Sequence, residues 1–298
     1  MNGPFDFFKL SGSGNDFICI DNRTGWLDGV IADCPRSERF ARAMCSRGFG
    51  VGADGLVVAI RPAIGGVAKI GALFFEPDGS QSELCGNGTG CFVRCSLENG
   101  WAEGPEVSVL TSAGIVIGKA VDDPYIRVCI PLPEHTAANL SLRVGEEDIA
   151  CDLAVTGVPH AIVYVDDVQA VDMPHIGPAL RYHPYFGPRG VNANFVQVIE
   201  PGRLAVRTWE FGVEGETLAC GTGAAAAAIM AIQRFGWDGA IRRGDQPVLV
   251  QSRGGDVLRV YCTFDGAGKV VDLCVDTVVR QIYHGRADPA LVARAIGQ

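Results

Sequence analysis

Short runs of apolar residues bounded by turn-forming residues mark strands in both halves of the chain. In the amino half, these strand-like runs cover residues 5–10, 17–20, 56–60 and 71–75. In the carboxy half, they cover residues 161–165, 194–199, 204–209, 248–250 and 257–261. Gly, Pro, Asp and Ser between the runs predict tight connections. The last two runs are predicted to pair as closing strands.

Helix-forming segments lie between these strands. One helix is predicted near residues 37–45, and two more follow Cys85 and Cys220. The last of these begins with five alanines at residues 224–228, and alanine has the highest helix propensity. Residues from about 288 onward predict a short helical tail. Strands and helices alternate in each half, which predicts an α/β fold, of the α+β type, with two lobes of similar plan.

A cysteine followed by small, flexible residues occurs twice, at residues 83–90 and 218–224. Each copy precedes a helix-forming segment, so each thiol is predicted to stand at a helix start. Unpaired backbone N–H groups and the positive end of the helix dipole favour a thiolate there. The same N–H groups can bind a carboxylate. Two such starts together predict proton transfer at the carbon next to a carboxylate.

A structural interpretation of the same loops is that the glycines allow tight packing and the cysteines are small buried apolar residues. A single copy would favour that interpretation, whereas the repetition favours chemistry. Residues 50–55 formally match a dinucleotide-binding fingerprint, but they precede a strand instead of following one. A nucleotide cofactor is therefore not predicted. His160 and Glu210 carry no signal of their own, because a lone histidine is usually structural and a carboxylate in a turn-rich segment is usually solvated.

Composition and charge narrow the class of protein. The 298 residues are 48% hydrophobic and 20% charged, as in an ordinary folded protein, and the net charge of −9 argues against nucleic acid as a partner. No signal peptide and no apolar run of 18 residues are visible, so no membrane partner is predicted. Eleven cysteines without a C-x-x-C pair predict reduced cytosolic thiols. Cys91 and Cys95 are predicted to share a buried helix face, and no metal site is predicted.

Several motifs, in order along residues 5–285, resemble the diaminopimelate epimerase family. They cover residues 10–17, 52–56, 78–80, 85–88, 157–160, 191–195 and 215–223. The resemblance implies two pseudo-symmetric domains with a cofactor-free active site in the cleft between them. It implies one domain of residues 1–132, completed by residues 276–298 and carrying Cys85, and another of residues 133–275 carrying Cys220. A linker is predicted around residues 131–142. The resemblance also implies a cytoplasmic homodimer whose partner is a small molecule, an amino-acid substrate.

The family's site residues can be placed on this sequence. The resemblance implies that Cys85 and Cys220 are the acid/base pair, since inverting a stereocentre through a planar carbanion needs a base on one face and an acid on the other. It places His160 and Glu210 as polar helpers near the thiols. The substrate carboxylate would be bound by backbone N–H groups of four residues: Gly86, Asn87, Gly221 and Thr222.

The residues that hold the far end of the substrate depart from the family pattern. Asn15 and Asn192 fit it, but Glu76 stands where an Asn is typical and Phe211 where an Arg is typical. Phenylalanine lacks the bidentate fork that binds a carboxylate, and Glu76 adds negative charge. Two substrates stay open: LL-diaminopimelate, converted to the meso form for lysine and peptidoglycan synthesis, or another amino acid such as histidine or a basic or apolar one.

Two hypotheses from other classes remain beside the epimerase. One is an isomerase of unsaturated carboxylic acids that shifts a double bond within a similar two-domain frame. The other is a non-catalytic protein that acts in thiol redox chemistry or binds carboxylates.

Overall fold

The computed structural model describes residues 4–62, 66, 68–82, 85–237 and 239–296. The chain divides into two compact units, a first unit of Met1–Val128 with Val278–Gln298 and a second unit of Cys129–Thr277. Each unit mixes strands and helices, which confirms the predicted α+β class. In the described part of the chain, no helix combines the length and the apolar character needed to cross a bilayer.

The described residues of the first unit form four helices and eight strands, the last of which ends on the first residue of the second unit. The strands are β1 (Phe5–Gly12), β2 (Asn15–Asp21), β3 (Gly55–Ile60), β4 (Ile70–Phe75), β5 (Gln81–Ser82), β6 (Glu106–Thr111), β7 (Gly114–Ala120) and β8 (Tyr125–Cys129). The helices are α1 (Asp28–Ile31), α2 (Cys34–Cys45), α3 (Gly86–Glu98) and, near the carboxy terminus, α7 (Pro289–Ile296). The predicted helix near residues 37–45 and the helical tail are confirmed.

The second unit contains the remaining elements. Its strands are β9 (His135–Val144), β10 (Glu147–Val155), β11 (Pro159–Tyr164), β12 (Asn192–Glu200), β13 (Arg203–Glu210), β14 (Gly215–Thr217), β15 (Val248–Ser252) and β16 (Val257–Phe264). Its helices are α4 (Met173–Arg181), α5 (Gly221–Phe235) and α6 (Gly239–Arg242), with short 3₁₀ turns at Val168–Ala170 and Pro184–Phe186. The last strand, β17 (Val270–Ala287), has residues in both units.

The two units repeat one order of strand pairings around their cysteines. In the first, β2 pairs parallel with β3, β3 and β4 are antiparallel, and β4 pairs with the short β5 before Cys85 and α3. In the second, β11 pairs parallel with β12, β12 and β13 are antiparallel, and β13 pairs with the short β14 before Cys220 and α5. In the first unit, β6 then pairs parallel with β4 and antiparallel with β7. In the second unit, β15 pairs parallel with β13 and antiparallel with β16. The predicted similar plan and closing pair are confirmed.

Helix α2 shows why its sequence folds locally. The Asp33 side chain accepts a hydrogen bond from the Arg36 N–H and caps the first turn, and a proline occupies the first turn itself. Phe40 and Met44, four residues apart, lie on one face and are buried in the core of the first unit with Leu56 of β3. Because positions four apart share a helix face, this spacing directs both side chains inward.

The linker predicted at residues 131–142 is wrong over most of its length. His135–Val144 form strand β9, which pairs antiparallel with β10. Leu140, Leu142 and Val144 alternate along β9 and pack against the core of the second unit. The Pro-, His- and Ala-rich composition masked this period of two, which is the signature of a half-buried strand.

The prediction that all cysteines are reduced is wrong for one pair. Cys129 and Cys274 form a disulfide between β8 and β17, with their Cα atoms 4.0 Å apart. The Ile130 N–H donates to the Leu273 carbonyl at 3.1 Å, so the two strands are directly adjacent there. The pair is separated by 145 residues, and only the pairing of the strands brings the two sulfurs together. The other nine cysteines are not disulfide-bonded, and Cys91 and Cys95 are buried on α3 as predicted.

Candidate active site

Cys85 is the residue that precedes the first turn of α3. It is the N-cap, in extended conformation, and its carbonyl accepts hydrogen bonds from the Thr89 N–H at 2.7 Å and the Thr89 hydroxyl at 2.8 Å. The first-turn N–H groups of α3, from Gly86 onward, are those that a helix leaves without partners inside itself. Glu83 and Leu84 of this loop lie outside the described residues. The predicted position of the thiol at a helix start is confirmed.

Gly88, three residues after Cys85, packs closely against two aromatic rings. A Cβ atom at Gly88 would lie 3.0 Å from the Phe17 ring and 3.3 Å from the Phe74 ring. A Cβ at Gly86, in contrast, would meet nothing within 4 Å. The first turn of α3 is therefore tightly packed at Gly88, whereas the space beside Gly86 is empty.

Cys220 is the N-cap of α5, and its thiol is nearly buried. The Gly223 N–H donates to Cys220 Sγ at 3.4 Å. A Cβ at Gly223 would lie 2.5 Å from Asn194 Oδ1, so only glycine permits this approach. A cavity of about 10 Å³ beside Cys220 is lined by residues such as Thr208, Thr217 and Leu258. It has room for about one water molecule and is too small for an amino acid.

His160, Thr222 and Cys220 lie next to one another in the second unit. His160 is fully buried on β11, and its Nε2 lies 3.1 Å from Thr222 Oγ1. Thr222 Oγ1 lies 3.5 Å from Cys220 Sγ. Burial lowers the pKa of His160 to about 3, so the imidazole is neutral at physiological pH. A neutral imidazole carries its proton on only one of its two nitrogens, so one nitrogen donates a hydrogen bond and the other accepts one.

Glu210, Phe211 and Asn192 meet at the end of β13. The Phe211 N–H donates to Asn192 Oδ1 at 2.6 Å, so the amide oxygen of Asn192 holds the backbone at Phe211. Glu210 is half-buried, and its Oε2 atom is shielded from solvent. The expectation of a simply solvated Glu210 is therefore wrong.

Two arginines that the sequence did not single out lie over the Phe211 ring. The guanidinium carbon of Arg181 is 4.4 Å from the ring centroid and that of Arg189 is 5.4 Å away. Arg181 is buried and donates to Glu214 Oε1 at 2.9 Å and to the Arg189 carbonyl at 2.7 Å. Arg189 is exposed. Positive charge therefore lies beside Phe211, although no local motif connects these distant residues.

Asn15 begins β2 in the first unit and pairs opposite Gly12 of β1. A Cβ at Gly12 would lie 3.0 Å from the Asn87 carbonyl, so the end of β1 approaches the start of α3 closely. Asn15 and Asn87 are thus on neighbouring elements. Glu76 follows β4 at an exposed turn, and its N–H donates to the Ser80 carbonyl at 2.8 Å.

A network of charged side chains surrounds Asp16, the residue next to Asn15. The buried Lys9 ammonium lies 2.8 Å from Asp16 Oδ2 and also bonds the Gly52 carbonyl. Arg47 bridges Asp16 and Asp54, at 2.8 Å from each. Burial alone would raise the pKa of Asp16, but hydrogen bonds from Lys9 and Arg47 hold it below its usual value. Within the described residues, no group of three or more His, Cys, Asp or Glu side chains is arranged to hold a metal ion.

Comparison with known proteins defines the class. A sequence model of the family described as "Diaminopimelate epimerase" matches residues 7–128 and 153–271. A diaminopimelate epimerase of Aquifex aeolicus is 38% identical over 283 residues, covering 94% of this chain and 97% of the relative. One of Methanocella arvoryzae is 38% identical over 235 residues, covering 76% and 81%.

Solved structures share the fold at low identity. A PhzF-family phenazine biosynthesis protein of Bacillus anthracis superposes with a TM-score of 0.73 at 15% identity, covering 96% of this chain and 99% of its own. A probable proline racemase of Agrobacterium radiobacter K84 gives a TM-score of 0.69 at 17% identity, covering 98% of each chain. The repeated fold and the sequence matches define an isomerase of the epimerase class that acts on a small molecule. The chain belongs to the diaminopimelate epimerase family.

Proposed function

We propose that this enzyme inverts the α-carbon of an amino acid, with Cys85 and Cys220 as the acid/base pair and without pyridoxal phosphate. The observation that carries the proposal is the repeated arrangement in which each cysteine caps a helix directly after a short paired strand. The shared plan of the two units accounts for the repeated helix start, and two-base chemistry accounts for a cysteine at both.

In this mechanism one cysteine is a thiolate and removes the α-proton, while the other is a thiol and delivers a proton to the opposite face. The electron pair of the broken C–H bond moves into the substrate carboxylate. Backbone N–H groups at the starts of α3 and α5 stabilise that charge as it forms. An ordinary thiol has a pKa of about 8.5, and lowering it by two units corresponds to about 2.7 kcal/mol. Helix ends and neighbouring donors supply stabilisation of that order.

Replacement of each thiol tests the mechanism. Cys85→Ser and Cys220→Ser should each lower the inversion rate by about 10²-fold or more, because one face of the carbon then lacks its proton carrier. The measurement follows optical rotation together with incorporation of deuterium from solvent at the α-carbon. Cys91→Ala, on α3 but fully buried, is the matched control and should keep activity. Unimpaired inversion in either serine variant would disprove the two-thiol mechanism. Inversion without α-hydrogen exchange would also exclude it, and a double-bond shift would instead favour the isomerase of unsaturated acids.

For the substrate, we propose an amino acid whose side chain does not end in a carboxylate, such as histidine, lysine, arginine or an apolar amino acid. Phe211 replaces the arginine of the family pattern, and the buried Arg181 beside it is paired with Glu214. Glu76 replaces an asparagine and adds negative charge, which disfavours a distal carboxylate and favours a cation. A turnover panel of these amino acids and LL-diaminopimelate tests the assignment. Strong turnover of LL-diaminopimelate alone would contradict it.

LL-diaminopimelate is the second candidate, and two observations favour it. The relatives at 38% identity carry the name diaminopimelate epimerase. The exposed Arg189 guanidinium lies over the Phe211 ring and would offer a carboxylate a partner at that position. If this candidate is right, Arg189→Gln should raise KM for LL-diaminopimelate at least tenfold, whereas the exposed Arg203→Gln control should not.

We also propose that the enzyme is a homodimer, which sedimentation velocity would check.

A further inference from the structure

Asn194 is a fully buried residue of β12 whose amide orientation is fixed by its partners. Its Nδ2 lies 3.0 Å from the Ala161 carbonyl oxygen and 3.1 Å from the Asn192 carbonyl oxygen. Its Oδ1 accepts from the Thr208 hydroxyl at 2.9 Å. Carbonyl oxygens only accept hydrogen bonds, so a flipped amide would place three oxygens against one another. The side that faces those carbonyls must be the NH₂ group.

The same NH₂ group decides where His160 carries its proton. His160 Nδ1 lies 3.2 Å from Asn194 Nδ2. A protonated Nδ1 would set one donor against another, so Nδ1 keeps its lone pair and the ring proton resides on Nε2. The buried ring is neutral, since burial lowers the pKa of His160 to about 3.

From His160 the hydrogen bonds run in one direction to the sulfur. The Nε2–H of His160 donates to Thr222 Oγ1 at 3.1 Å. The hydroxyl proton of Thr222 can then point to Cys220 Sγ, 3.5 Å away, and the Gly223 N–H adds a second donor at 3.4 Å. Thr156 supports this arrangement, because its hydroxyl donates to the Thr222 carbonyl at 3.1 Å. Two donors aimed at one sulfur stabilise its anionic form.

We infer that Asn194 is a positioning residue that acts through His160 and Thr222 to make Cys220 the thiolate of the resting enzyme. The inference rests on the proposed two-thiol function. With the opposite histidine tautomer, Nε2 would accept from Thr222, and the Thr222 oxygen would accept from a protonated thiol. The orientation of the Asn194 amide therefore decides which of two hydrogen-bond chains forms: one that donates to Cys220 Sγ, or one that accepts from its thiol. Cys220 can still become a thiol during turnover, because Thr222 Oγ1 keeps a second lone pair.

The first test is spectroscopic and requires no turnover. The ¹⁵N NMR spectrum of histidine-labelled protein reports which ring nitrogen of each of the five histidines is protonated, and His160→Gln assigns the His160 signal. The expected result is a neutral ring with the proton on Nε2. A proton on Nδ1, or a charged ring at pH 7, would overturn the inference. Asn194→Asp, which replaces the donor by an acceptor, should move the proton to Nδ1 or charge the ring.

The second test measures the Cys220 thiolate by its rate of alkylation with iodoacetamide as a function of pH, read on the Cys220 peptide by mass spectrometry. Thr222→Val removes the hydroxyl at constant shape and should shift the profile upward by about one pH unit, so that reactivity at pH 7 falls about tenfold. Thr222→Ser keeps the hydroxyl and should restore the parent profile. A Thr222→Val profile that overlays the parent would refute the inference.

These outcomes are distinguishable from a failure of the proposed function. If the parent inverts no amino acid of the panel, the proposed function fails, while the tautomer and the alkylation profile still stand as measured. If inversion depends on both cysteines but the tautomer is the opposite one, only the role of Asn194 is lost. Should Asn194→Asp not fold, the parent spectrum and the Thr222 pair decide the question alone.

Discussion

The backbone N–H of Phe211 donates to the side-chain oxygen of Asn192 at 2.6 Å. This bond joins Phe211, which stands where the family resemblance leads us to expect an arginine, to Asn192, which fits the expected pattern. The Arg181 and Arg189 guanidiniums also lie over the ring of Phe211, which stays exposed. At this position an aromatic ring therefore lies beside two cations, while the backbone is anchored by the neighbouring strand.

Restoring the family pattern should restore affinity for a distal carboxylate. The double variant Glu76→Asn/Phe211→Arg is expected to raise kcat/KM for LL-diaminopimelate about 10- to 100-fold, the range of a charge-assisted hydrogen bond of about 1.5–3 kcal/mol. Ile199→Arg, which adds an arginine at an exposed position of the second unit, is the control. Steady-state kinetics with LL-diaminopimelate and with the preferred substrate of the parent check this. An unchanged kcat/KM would show that neither position contributes to recognition.

His160 should make the stability of the protein depend on pH. Its folded pKa of about 3 lies below the ordinary value of 6.5, so the unfolded chain binds a proton that the native protein does not. The unfolding free energy should therefore fall as pH decreases from about 6.5 towards 3, by up to about 1.4 kcal/mol per pH unit. Urea unfolding at several pH values measures this slope. His160→Gln should flatten it, whereas His175→Ala, at an exposed site, should not. Equal slopes in all three proteins would contradict the prediction.

Removing the Cys129–Cys274 disulfide should lower stability. The bond joins two residues that are 145 positions apart in the chain. Loss of such a bond lowers the unfolding free energy by about 2–4 kcal/mol, because the unfolded chain regains conformational freedom. Cys129→Ala/Cys274→Ala should therefore unfold at lower urea concentration than the parent under oxidising conditions. Dithiothreitol should destabilise the parent by a similar amount and leave the double variant unchanged. Cys34→Ala, at an exposed free thiol, is the control. A parent insensitive to dithiothreitol would refute the contribution.

The buried Lys9 should support the strand that carries Asn15. Lys9→Met removes the ion pair with Asp16 and the hydrogen bond to the Gly52 carbonyl, which leaves buried polar groups without this partner. The expected loss is about 1–3 kcal/mol, and KM should rise as Asn15 loses its fixed position. Lys69→Met removes an exposed lysine and is the control. A stable Lys9→Met protein with unchanged KM would exclude this role.

Glycine at the two helix starts should differ in its tolerance of a methyl group. Gly223→Ala places a Cβ 2.5 Å from Asn194 Oδ1 and should lower the unfolding free energy by about 1–3 kcal/mol. Gly86→Ala meets no atom within 4 Å and should leave stability equal or slightly higher. Thermal unfolding compares the two. If both variants lose the same stability, the close approach of Asn194 is not the cause.

Much of the fold could be predicted from local patterns. The runs at residues 56–60 and 204–209, for example, form β3 and β13, because apolar β-branched and aromatic residues between turn signals specify buried strands. The prediction of a linker at residues 131–142 is wrong, since alanine and histidine obscure the alternation of Leu140 and Leu142. That strand is defined by its pairing with β10, a partner that local composition does not reveal.

Local sequence patterns are enough to predict the repeated plan and the helix starts at Cys85 and Cys220, because strands, turns and helix starts each depend on residues that are close together in the chain. Three contacts become visible only once the chain is folded: the Cys129–Cys274 bond, the two arginines beside the Phe211 ring, and Asn194 against His160. These contacts join residues on different strands and helices, and their geometry follows from strand pairing and side-chain packing. The direction of the hydrogen bonds that reach Cys220 is set in the same way, by buried carbonyls that no local motif identifies.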